Sequence, residues 1–298
     1  MRFGVRGGSV EPIQSPLGAV WMYPLCGNAR GGPAVFGDHP GEGEAAVHLE
    51  VSLLDRTPIR RDMSSPKRLA RIAGVLYLIV GIFGGFAVGY ANPSVYVPGE
   101  AATTAANVAA NPGLVRAAVL ADLLQATALL FLAMVLYVLL KDVNRNAARA
   151  MVIIVAIATT IMCLNEVFQF SALLVAGDAS YVAAFGAAGS DALVMLLMDM
   201  FHYGFLIAQI FFGLWLIPLG YLAYKSALFP KALGIVLVVG GVSYLVDLVV
   251  AFVLPDLSKQ IHGFLAIPPA IAEIGMVGYL LWIGLRPSPR TDPDPDAA

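Results

Sequence analysis

The chain has 298 residues, 59% of them hydrophobic and 13% charged, with a formal net charge of −2. Soluble globular domains carry about 45–50% apolar and about 25% charged residues, so this composition excludes an ordinary water-soluble domain for most of the chain. The near-neutral charge supplies no basic surface for nucleic acid or for a polybasic lipid anchor, and no nucleic-acid partner is expected.

Residues 1–62 are rich in Gly and Pro and show neither helical nor strand periodicity. Their longest apolar stretch, Leu17 to Leu25, is short, preceded by Pro16 and interrupted by Pro24, and it lacks the form of a signal peptide. Two readings stay open: a disordered extension, or residues upstream of the true start at Met63. The run Met63-Ser64-Ser65-Pro66-Lys67-Arg68 reads as an ordinary basic N-terminus. Cys26 and Cys163 are isolated, with no CxxC, zinc spacing or disulfide framework.

A spanning helix needs about 20 mainly apolar residues to cross about 30 Å of hydrocarbon. Six segments qualify: Leu69–Tyr90, Leu114–Leu140, Ala150–Leu174, Asp191–Leu222, Ala232–Leu254 and Ala266–Leu285. Residues 63–286 are therefore predicted to form an all-α polytopic transmembrane bundle of about six helices. The fourth segment is long, and Pro218 is the expected place for a kink. A re-entrant or interfacial piece is expected near Val175–Phe185. Residues 287–298, with Asp292-Pro293-Asp294-Pro295-Asp296, read as a disordered acidic tail.

Basic residues alternate between connections. Lys67, Arg68, Arg71, Lys141, Arg145, Arg149, Lys225, Lys231, Arg286 and Arg290 fall on one side, and only Arg116 and Lys259 on the other. By the positive-inside rule both termini are cytoplasmic, and the expected location is the bacterial plasma membrane.

Within that topology Asp122, Glu166, Asp199, Asp247 and Glu273 each lie seven or eight residues from the outer end of their segment. At about 1.5 Å per residue, all five sit roughly 10–12 Å below the outer boundary. A carboxylate at membrane depth costs about 2.5–3.5 kcal/mol on insertion scales, so they are expected to face inward. An outward-facing acidic cavity is predicted from Asp122, Glu166, Asp199, His202, Asp247 and Glu273. Gln125, Gln169 and Tyr244 share its helix faces, and Arg116 approaches from above to neutralise one acid. Against this stands a simpler role for the same groups, hydrogen-bonding helix to helix at about 0.6 kcal/mol each.

Asp199, His202 and Glu166 form a weak candidate metal set, without an HExxH. Gly81, Gly85 and Gly89 make overlapping G-x-x-x-G motifs, expected to pack helices inside the bundle or to form a homodimer. Trp215, Trp282, Tyr96 and Tyr221 are expected as interfacial anchors. No P-loop, nucleophile elbow or Rossmann fingerprint occurs in a suitable context, and no cofactor is predicted.

Several stretches resemble a known family. These are Ala70-Arg71-Ile72-Ala73-Gly74 with Tyr77, Leu136-Tyr137 with Lys141, Val143, Asn144 and Arg145, and His202-Tyr203-Gly204 through Ile210-Phe211-Phe212-Gly213-Leu214 to Leu219-Gly220-Tyr221-Leu222. Ser226, Pro230, Leu233-Gly234 and Gly241 with Tyr244-Leu245 and Asp247 continue the match. Together they resemble the bacterial membrane-protein family of unknown function numbered forty-three eighty-six, over roughly residues 66–286. The resemblance implies a multi-pass bacterial membrane protein and brings no activity or catalytic residues. Three functions stay open: binding or transport of a proton, cation or small polar solute; a structural, sensory or scaffold role; and a metal-dependent intramembrane lipid hydrolase.

Overall fold

A computed structural model describes residues 65–285. The expectations placed on residues 1–62, on Met63 and on residues 287–298 lie outside that range. Among the described residues there is no strand, and six helical spans are long and apolar enough to cross a membrane. The protein is a multi-pass integral membrane protein.

Ser65 caps the first span, its hydroxyl accepting from Arg68 N at 3.3 Å, and Pro66 occupies the first turn where a missing N–H costs nothing. Span α1 (Pro66–Val95) widens to a π-helical stretch over Ala87–Ala91 before its last turn. A short α2 (Ala101–Ala110) follows, then α3 (Pro112–Leu140), α4 (Arg145–Gly177) and α5 (Ala179–Lys225). Asn144 caps α4 by accepting from Asn146 N and Ala147 N. Asp178 caps α5, and accepting the Ser180 amide at 2.8 Å holds its carboxyl below the ordinary range. After α6 (Lys231–Val253) comes an amphipathic α7 (Pro255–Leu265), then α8 (Ile267–Leu285). Helices α7 and α8 together form the sixth span.

The fourth span is broken at Gly186, whose φ of 74° belongs to the left-handed region, and Pro218 lies inside its helical part. The segment Val175–Phe185 finishes α4 and begins α5 as helix before the Gly186 break, with Val175 buried and most of residues 177–185 exposed.

The spans touch in chain order, α1 on α3, α3 on α4, α4 on α5, α5 on α6 and α6 on α8, and α8 returns to α1. They make a closed ring. Its Lys/Arg-bearing half is filled by Leu132, Leu136, Leu140, Met151, Leu219 and Leu280, all fully buried. At the opposite end α2 lies across α4 and α5, burying Val108 against a second apolar cluster with Ala172, Val194 and Met198.

Glycine sets the closest approach. A Cβ on Gly213 would stand 2.7 Å from the Gly241 carbonyl oxygen, and one on Gly220 2.6 Å from that of Gly234. The two pairs recur at seven-residue intervals on antiparallel helices, so α5 and α6 meet backbone to backbone along one seam. Helices α1 and α8 meet the same way at the Lys/Arg end. There Gly74 abuts the Leu281 backbone and Gly284 the Arg71 backbone, while Arg71 Nη2 donates to the Gly284 carbonyl at 2.6 Å.

The in-bundle role expected for Gly81, Gly85 and Gly89 is corrected, because a Cβ on any of the three would meet nothing within 4 Å. They are exposed.

Replacing Gly213 by Leu is therefore expected to lower unfolding stability by about 1–3 kcal/mol or more, through forced separation of α5 and α6. Gly278→Ala, in a helix interior with nothing within 4 Å, should change stability by no more than about 1 kcal/mol and in the stabilising direction. Thermal unfolding of the two purified variants in one detergent checks the contrast.

Candidate functional site

Above the apolar plug the ring is not filled, and a cavity of about 700 Å³ remains between α1, α3, α5, α6 and α8, with α7 at its mouth. Small-molecule sites occupy about 300–1,000 Å³. Its floor is the contact between Tyr77 and Trp215, ring centroids 5.8 Å apart. Phe205 and Phe212 line one wall and the three exposed glycines of α1 another. Most of the surface is apolar, and the polar groups gather around two carboxyls.

The first is Glu273 on α8. Tyr244 reaches it from α6, its hydroxyl donating to Oε1 at 3.1 Å. Tyr77 faces the same carboxyl from α1, but its buried hydroxyl completes no hydrogen bond. Glu273 is half-buried because one side opens on the cavity rather than on packed atoms.

The second is Asp247, one helical turn beyond Tyr244 and 3% exposed. Gln209 of α5 donates to its Oδ2 at 2.9 Å and to the Tyr244 carbonyl at 3.2 Å. His262 of α7 places Nδ1 3.0 Å from each Asp247 oxygen. That contact joins the amphipathic helix, which buries none of its own residues, to the interior of the bundle.

The other predicted site residues do not converge here. Asp122 and Glu166 are neighbours between α3 and α4, buried, with Asp122 Oδ1 and Glu166 Oε2 unpartnered. Gln169 donates to Asn92 Oδ1 at 2.6 Å, tying α4 to the end of α1. Asp199 accepts from the Tyr96 hydroxyl at 2.6 Å, and His202 lies beside Tyr96, with ring centroids 5.5 Å apart. Arg116 is exposed and forms no salt bridge with any of the acids.

The single acidic layer thus separates into three groups, and of its acids only Asp247 and Glu273 line the cavity. Gln125 and Tyr244 also line it, whereas Gln169 does not. Among the described residues no three His, Cys, Asp or Glu side chains gather closely enough to hold a metal ion. The Asp199, His202 and Glu166 set is accordingly not assembled.

The family model for a domain of unknown function, DUF4386, matches residues 72–284. The chain belongs to the DUF4386 family. No curated protein and no solved structure matches it. The family match covers every span that builds the cavity in this DUF4386 protein and carries no activity with it.

Sequence reasoning missed Tyr77 and His262 as site residues and misread one aromatic. Trp215 is 3% exposed and floors the cavity, so it is no interfacial anchor. Tyr96 donates to Asp199. Trp282 and Tyr221 are exposed, as anchors would be. For His262 the available signal was the Pro255-Asp256 start and the 3.6-residue pattern of Leu257, Ile261, Phe264 and Leu265, which marks a helix rather than a loop.

Among the described residues, His262→Ala removes the one recorded side-chain hydrogen bond from α7 to the interior. Amide hydrogen exchange over residues 255–265 should accelerate about tenfold or more, with exchange in the Leu132–Leu140 core unchanged. Equal protection of α7 in both proteins would refute this anchoring role.

Proposed function

We propose that this protein binds a small solute inside the membrane, and that Glu273 and Asp247 carry the site. The observation behind this is a bounded chamber with two carboxyls facing it from adjacent helices, α6 and α8. A purely structural role calls for acids satisfied by neighbouring helices, as Asp199 is by Tyr96. Glu273 is bonded by Tyr244 in the same manner, and it differs in that one side of its carboxyl opens on the chamber. Asp122 and Glu166, away from the chamber, support the second reading only for themselves: they act at the α3–α4 seam.

The solute belongs to the class of protons, cations and small polar molecules that an acidic site favours. Transport is the natural use of such a chamber, with the Lys/Arg-bearing end in the cytoplasm and the chamber on the far side, in a bacterial plasma membrane. The ring closes below the chamber on the Tyr77–Trp215 contact and the leucine plug. Passage to the other side therefore requires that these side chains part.

Thermal unfolding of the purified protein against a panel of inorganic cations, organic cations and neutral polar solutes tests the binding. A ligand at 100 times its Kd adds about 2.7 kcal/mol. At least one class is expected to raise the wild-type transition in a concentration-dependent way. Glu273→Gln and Asp247→Asn are expected to abolish that rise without lowering the unliganded transition by more than a few degrees. No shift with any class, or an undiminished shift in both variants, would overturn the assignment.

A further inference from the structure

We infer that the solute is a lipophilic organic cation and that it reaches the chamber sideways, from the bilayer, through the cleft between α1 and α8. This rests on the binding role proposed above and adds a ligand class and a route.

The route follows from the way the first and last spans diverge. They are clamped at the Lys/Arg end, where Gly74 abuts the Leu281 amide at 2.9 Å and Arg71 holds the Gly284 carbonyl. Two turns on, Gly81 meets nothing within 4 Å, nor do Gly85 and Gly89 above it. The chamber wall runs outward through this gap to Ile82 and Ile274, which are 58% and 72% exposed on the outer surface of the ring. In a six-span membrane protein that surface faces lipid. Apolar rims and a floorless row of glycines make a slot that admits an apolar body and discourages a hydrated ion.

The ligand class follows from what the slot leads to. No Lys or Arg lines the chamber. Asp247 is already engaged by Gln209 and His262, which leaves Glu273 as the acid with neither an amide nor an imidazole partner. Tyr77 and Tyr244 face it, Trp215 and Phe212 line the same chamber, and aromatic faces attract a cation within about 6 Å of the ring centroid. The Tyr77 hydroxyl, on a side chain 1% exposed, faces the Glu273 carboxyl from the chamber wall. An inorganic cation needs about six oxygen ligands, more than this aromatic wall presents. An anion meets two acids and no Lys or Arg. A cation with an apolar shell satisfies Glu273 and the aromatic faces together.

Tetraphenylphosphonium is the probe, with neutral triphenylphosphine oxide as its uncharged counterpart. Saturable binding of the phosphonium to the full chain in lipid nanodiscs is expected, with at least tenfold weaker binding of the neutral compound. Glu273→Gln should weaken phosphonium binding by about tenfold or more. Gly85→Leu fills the cleft and should slow phosphonium association about tenfold while the protein stays folded, since its side chain enters open space. If the unfolding panel finds a ligand but phosphonium does not bind, the ligand class is wrong and the binding role survives. Unchanged affinity in Glu273→Gln refutes the site, and unchanged association in Gly85→Leu refutes the route. A wild-type dimer that Gly85→Leu converts to monomer would also overturn the route, by making the cleft an interface between two copies.

Discussion

The contact that closes the ring is the one on which the rest depends. Arg71 and Gly284 stand 213 residues apart in sequence, yet the guanidinium holds that carbonyl with two hydrogen bonds, at 3.0 and 2.6 Å. With water absent from the hydrocarbon region, apolar surface gives helices little drive to associate, and close backbone approach and hydrogen bonds must hold them. Gly74 and Gly284 allow that approach at one end of the α1–α8 seam only. The same clamp therefore completes a six-helix ring and leaves its far end splayed, with a chamber inside.

Glycine spacing divides the work among the seams. Along α5 and α6, Gly213 with Gly241 and Gly220 with Gly234 bring carbonyl oxygens to where a methyl would otherwise sit. That seam is tight at two points one heptad apart and makes a fixed wall. Along α1 the glycines are as regular in sequence, but the opposing helix has moved away. Identical motifs thus serve as a contact in one place and as an opening in another, and only the position of the partner helix separates the two.

The acids are likewise not one population. Asp199 and Tyr96 join α5 to the chain just past α1, and Gln169 with Asn92 joins α4 to the end of α1. Asp122 and Glu166 sit side by side within the α3–α4 seam. Asp247 and Glu273 turn to the chamber, where Gln209, Tyr244 and His262 orient them from three further positions. A helical residue projects in one direction only, so in a ring of six helices acids at a common depth can still point into different seams.

The sequence by itself determined the number and approximate limits of the spans, because hydrocarbon thickness and helix rise set a length that uninterrupted apolar runs such as Leu114–Leu140 plainly meet. It also determined where along its helix each of these acids lies, since that is a count of residues along an axis. Rotation about that axis was not legible. Whether Asp122 or Glu273 faces the chamber depends on which helices lie on either side, a relation between residues as distant as Arg71 and Gly284. The Gly186 break and the placing of His262 against Asp247 belong with it. Tertiary packing alone decided these, because a local pattern records which face of a helix is polar but not what that face meets.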